Sequence, residues 1–129
     1  MLRHGDADFI LPDSARQLSA KGKSQVVKMA QTYSRNVQDI ELVITSPLRR
    51  ALETTELFIA NANIGCDYQV ADYLLPDTSV TAVARHIQAL VQKKILMVGH
   101  LPLLDNWIDY LPGNANVRMA TATLAPLRM

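Results

Sequence analysis

"ILMVGH" (residues 95–100) sets four apolar residues in a row and then stops at Gly99-His100. A short apolar run without polar alternation fits a strand covered on both faces, as in the interior of a parallel sheet. "ELVITS" (41–46) is built the same way, β-branched and bounded by polar residues, and predicts a second buried strand. Helix-like segments lie between and around these runs. Ser19 is placed to cap a helix whose apolar stripe is Val26, Met29, Ala30 and Tyr33. Ser46 as N-cap and Pro47 as first helical residue predict a second helix, which buries Ala51, Thr55, Phe58 and Ala62. "YQVADYL" (68–74) reads as a strand. Val80, Val83, Ala84, Ile87 and Val91 space out a third helix with Thr78 or Ser79 as cap. Pro102 opens a fourth, with Leu103, Leu104, Trp107, Ile108 and Leu111, closed around Pro112-Gly113. "MATATLAPL" (119–127) is expected to be a last strand. Strand and helix in alternation predict an α/β fold, a three-layer sandwich with a mostly parallel central sheet flanked by helices.

The chain has 129 residues, 49% hydrophobic and 19% charged, enough for a core and too apolar for disorder. A single domain over 1–129 is expected. The net charge of +1 supplies no basic field for nucleic acid. No apolar run approaches a membrane span, and the start lacks the apolar stretch of a secretory signal. A cytoplasmic protein without a membrane partner is expected. The lone Cys66 has no internal partner for a disulfide and no basic cluster to activate it.

In open parallel sheets, ligands sit outside the carboxyl ends of the strands. "TSPLRRA" follows the strand at 41–46, "GHLP" follows Val98, and Arg3-His4-Gly5 opens the chain after Met1 and Leu2. Arginine and histidine therefore gather at one edge. Converging guanidinium groups suit a phosphoryl group, whose oxygens match their fork. The helix N-termini expected at Pro47 and Pro102 add partial positive charge. Histidine in such a pocket can act neutral, as a nucleophile that takes the phosphoryl group, or protonated, as a further cation. Two histidines allow both. No Gly-rich phosphate loop and no carboxylate cluster for Mg²⁺ is present, so a metal-free, cofactor-free covalent route is expected. Blander uses exist for the same residues. Arg49-Arg50 can be a surface pair balanced by Glu53 and Glu56, and His100 can be a buried histidine satisfied by backbone.

In order and spacing, "RHG", "SPLRRA" and the late "GH" resemble the histidine phosphatase superfamily. "RHGDAD", "RQLSAKG" and "GHLPLL" are most similar to its SixA group of phosphohistidine phosphatases, over nearly the whole chain. The resemblance implies His4 as nucleophile and Arg3, Arg50 and His100 as the phosphate pocket. Arg50 takes the second arginine's place in the Ser-Pro-x-x-Arg-Ala pattern of Ser46–Ala51, and Arg49 lies about 100° away around the helix. Arg16, in "ARQLS", looks like a further phosphate-binding arginine, and Glu53 stands where many relatives have glutamine. Larger relatives place a glutamate acid after the third strand. Here that stretch is "VADYLLPDTS", where Tyr73 falls near its place and Asp72 and Asp77 are the possible acids. Relatives also have a full strand before the first motif and more chain at the end, so this domain is expected to be short at both ends.

The reaction so implied is hydrolysis of phosphohistidine on a protein such as a histidine phosphotransfer domain. No residue of that stretch is a clean match for the glutamate, and the lack of a clear acid fits a P–N leaving group, which departs as neutral imidazole once its ring is protonated, better than an alkoxide. Only "LLPDTS" separates the third strand from its helix, so no lid insertion and an open, shallow site are expected. A small-molecule phosphomonoesterase of the same superfamily and a non-catalytic phosphohistidine-binding module are the alternatives.

Overall fold

A computed structural model describes residues 1–5, 7, 15–100 and 102–110. Four strands, β1 (Leu2–Arg3), β2 (Leu42–Thr45), β3 (Tyr68–Val70) and β4 (Ile95–Gly99), form one sheet in the order β1-β4-β2-β3. Every pairing among them is parallel. Four α-helices, α1 (Ala20–Tyr33), α2 (Arg49–Ala62), α3 (Val80–Gln88) and α4 (Leu103–Tyr110), pack against it.

The period of two along each strand divides the core. Val43 of β2 and Leu96 and Val98 of β4 pack with Val26, Ala30, Ala51, Phe58 and Ala62 of α1 and α2. Their neighbours Leu42, Ile44 and Met97 face Val83, Ala84, Ile87, Leu104, Trp107 and Ile108 of α3 and α4. Both faces are covered, which is why these strands read as continuous apolar runs. The expected three-layer α/β sandwich is therefore present. Among the described residues no helix is long and apolar enough to cross a membrane.

Several boundaries differ from expectation. Ser19 caps α1 by accepting the Gly22 N–H at 3.0 Å, and Ser79 caps α3 by accepting that of Ala82 at 3.3 Å. The second helix starts later than its Ser-Pro signal predicts: Leu48 is the N-cap of α2, and its side chain makes no capping bond. The Ser46 Oγ still accepts the Leu48 N–H at 3.3 Å, and it also lies 2.6 Å from His100 Nε2. The strand predicted over 68–74 ends at Val70, because Asp72–Leu74 turns into a 3₁₀ helix that drops Leu74 into the core. α3 ends at Gln88, so Val91 lies past it and is 88% exposed. The predicted helix end at Leu111–Gly113 and the strand at 119–127 lie outside the described residues.

Phe58 is the largest fully buried side chain between α2 and the sheet. Phe58→Ala is expected to cost about 3–5 kcal/mol, a large part of a domain's stability. Val91→Ala should stay within about 0.5 kcal/mol. Denaturant midpoints of the two variants check the contrast.

Candidate active site

Three strands finish level with one another. Arg3 pairs with Gly99 and Thr45 with Val98, and the next backbone groups continue the ladders. The His4 N–H donates to the Gly99 carbonyl at 3.1 Å, and the Ser46 N–H donates to that of Val98 at 3.0 Å. His4, Ser46 and His100 thus leave the sheet at one edge. The imidazole rings of His4 and His100 lie 4.9 Å apart, centroid to centroid, tilted by 50°.

The turn after β1 is held from two sides. The Gly5 N–H donates to Thr54 Oγ1 at 3.1 Å, and Thr54 donates in turn to the Arg50 carbonyl at 2.7 Å. A Cβ on Gly5 would stand 2.8 Å from the Gly22 carbonyl oxygen and 3.0 Å from Val26 Cγ2. Only glycine lets α1 approach this closely.

His4 is 7% exposed. Its Nδ1 lies 2.7 Å from the Gly5 carbonyl oxygen, which can only accept, so Nδ1 carries the proton. Nε2 is left with a bare lone pair and accepts from Arg50 Nε at 3.3 Å. Burial pushes the His4 pKa down to about 4; the Gly5 bond opposes this, and the charges of Arg50, Arg3 and Arg16 add to it. His100, 1% exposed, is driven lower still by burial, then by His4, Arg50 and Arg3. Both rings are neutral near pH 7.

Arg50 is 4% exposed and reaches His4, whereas Arg49 turns outward, its side chain 58% exposed and its Nε 3.8 Å from Glu53. Arg3 is half-buried. Burial lowers its pKa, Asp105 opposes that, and Arg50 reinforces it. Arg16 donates to the Ala7 carbonyl at 3.3 Å, and its charge reaches His4. The structure thus gathers Arg3, His4, Arg16, Arg50 and His100. Asp72 and Asp77 are exposed on the segment after β3, and neither has a side-chain hydrogen bond or ion pair among the described residues. Among those residues no group of three or more His, Cys, Asp or Glu side chains stands close enough to hold a metal ion.

Sequence reasoning missed three contributors, and it named Glu53 without its contact. Ser46 was legible only as a cap, yet its Oγ lies 2.6 Å from His100 Nε2. Thr54 sits one turn after Arg50 on the same helix face, a spacing that signals it in retrospect. Asp105, on the first turn of α4, is the carboxylate acting on Arg3. Glu53 accepts the Leu18 N–H at 3.1 Å and ties the segment before α1 to α2.

Residues 1–74 match the sequence model of the histidine phosphatase superfamily (branch 1). Across 134 aligned positions the chain is 30% identical to the phosphohistidine phosphatase SixA of Escherichia coli, spanning 100% of this chain and 83% of that one. A solved structure of the protein histidine phosphatase SixA complexed with tungstate superposes with a TM-score of 0.85 at 31% identity, covering 94% of this chain and 81% of that chain. A putative phosphohistidine phosphatase SixA from Agrobacterium tumefaciens shares the fold, with a TM-score of 0.77 at 22% identity over 87% of this chain and 74% of its own.

Two buried neutral imidazoles make stability pH-dependent. An unfolded histidine titrates at about 6.5, His4 at about 4 in the fold. Between those values the unfolded chain binds more protons, so stability is full above about pH 6.5 and falls as the pH drops towards 4. Urea midpoints across this range should fall steeply for the wild type and less steeply for His4→Asn.

Proposed function

The chain belongs to the histidine phosphatase superfamily and is a phosphatase of the hydrolase class; from that premise we propose that it hydrolyses phosphohistidine on a partner protein, with His4 as nucleophile. The observation that carries the reading is the state of His4. It is a neutral imidazole, its proton spent on the Gly5 carbonyl and its Nε2 lone pair turned to Arg50. Such a nitrogen attacks without first losing a proton.

In the first step the Nε2 pair forms a bond to phosphorus while the bond from phosphorus to the substrate imidazole breaks. The departing ring keeps that electron pair and, protonated beforehand on its other nitrogen, leaves neutral. Arg50 gives up its contact with Nε2 to hold phosphoryl oxygens beside Arg3, with His100 as a further donor and Arg16 at the rim. These groups stabilise charge that grows on the oxygens in the transition state. Water then attacks phosphorus, the P–N electron pair returns to Nε2, and inorganic phosphate leaves. No cofactor or metal is invoked. Asp72 and Asp77 are the nearest candidates by sequence for an acid, and a P–N substrate makes little demand on one. The SixA relative's name supports phosphohistidine as substrate. A phosphotransfer domain, presenting its phosphorylated ring on a convex surface, is the kind of partner that suits the open site expected from the short "LLPDTS" connection.

His4→Ala should abolish turnover of a phosphorylated phosphotransfer domain while leaving inorganic phosphate binding measurable. Arg50→Ala should cost at least about 2 kcal/mol of transition-state stabilisation, and Arg49→Ala little. For the wild type, kcat/KM on that domain should exceed its value on a panel of small phosphate esters. Higher efficiency on a metabolite would replace the protein substrate with a small one, and binding without turnover would make this a recognition module.

The acid limb of kcat/KM reports the nucleophile in the free enzyme. With His4 depressed to about 4, activity should hold as the pH falls past 6.5 and decline only near 4. A limb centred at the ordinary histidine value would contradict a neutral, buried nucleophile.

A further inference from the structure

We propose that Ser46 is a positioning residue that fixes the tautomer of His100, donating its hydroxyl proton to Nε2 so that the ring's single proton sits on Nδ1 and is offered to the phosphoryl group. Ser46 is fully buried, with its Oγ 2.6 Å from His100 Nε2. The same oxygen already accepts the Leu48 N–H at 3.3 Å. Its own proton has no acceptor among the described residues other than that imidazole nitrogen. His100 Nδ1 is likewise buried, with no partner among them.

Two arrangements are possible for a neutral ring. If Nε2–H donated to Ser46, the serine proton would be stranded in the interior, and Nδ1 would present a lone pair to an anion. Leaving a buried donor unmade is costly, and lone pair against phosphate oxygen is repulsive. If Ser46 donates to Nε2, both atoms of that contact are satisfied. Nδ1–H then remains as a rigid donor awaiting an acceptor. Burial first, and then the charges of Arg50 and Arg3, disfavour an imidazolium here, which leaves the neutral donor. Donation to His100 leaves the Ser46 lone pairs free, so the oxygen can hold the Leu48 N–H at the same time.

The inference rests on reading the pocket as a phosphoryl site, and the tautomer can be measured without catalysis. In neutral imidazole the protonated and bare nitrogens have widely separated ¹⁵N shifts. At pH 7, ¹⁵N-histidine spectra of the wild type should show His100 with Nδ1 protonated and Nε2 bare. In Ser46→Ala the proton should move largely to Nε2, the His4 signals should stay in place, and the Kd for inorganic phosphate should rise about tenfold or more. Ser46→Thr, which keeps the hydroxyl, should restore the wild-type pattern. A bare Nδ1 or a doubly protonated ring in the wild type overturns the proposal, and that spectrum decides it even where Ser46→Ala fails to fold. So does an unchanged tautomer in Ser46→Ala. A wild type with Nδ1–H that does not bind inorganic phosphate would instead overturn the phosphoryl-site reading.

Discussion

The level finish of β1, β2 and β4 is the constraint on which the site depends. β4 is paired on both sides, and parallel register places Arg3 beside Gly99 and Thr45 beside Val98. Once those ladders form, the residues after each strand have little freedom. His4 is bonded to Gly99, Ser46 to Val98, and His100 follows directly on β4. Two imidazoles far apart in sequence come within 4.9 Å without either being placed by a loop. Sites mounted on strand ends hold their geometry better than sites carried on loops.

Burial and backbone bonding then decide the chemistry of those rings. A surface histidine divides its time between charged and neutral forms near physiological pH. Here the core below and the arginines around remove that choice. The Gly5 carbonyl further selects one of the two neutral forms of His4. The cost is borne by the fold, which keeps two imidazoles and the Arg50 guanidinium away from water in a protein of 129 residues.

Much of this architecture was legible in the sequence because it rests on local signals. The apolar runs at 42–45 and 95–99 mark doubly covered strands, and Ser19 and Ser79 mark helix starts. The direction in which Arg49 and Arg50 point follows from helical phase and the pattern around Ser46-Pro47. What was not legible depends on contacts between distant segments. The hydroxyl of Ser46 has a local use, accepting the Leu48 N–H, and no local pattern says that it also meets His100. Asp72–Leu74 alternates like a strand, yet burying Leu74 under the sheet edge favours a tight turn. Asp105 looks like an ordinary first-turn acid of a helix until the pairing of β1 with β4 brings Arg3 near it.

Thr54 joins its own helix to the turn after β1, accepting from Gly5 and donating to the Arg50 carbonyl one turn back. Helix α2 and the Arg3–Gly5 turn are therefore clamped into one mechanical unit. Arg50 and His4 meet across that clamp, with Arg50 Nε 3.3 Å from His4 Nε2. His100 rides on a different unit, the end of β4. The two parts are stitched together by the His4 N–H···O=C Gly99 bond and by Ser46 Oγ against His100 Nε2.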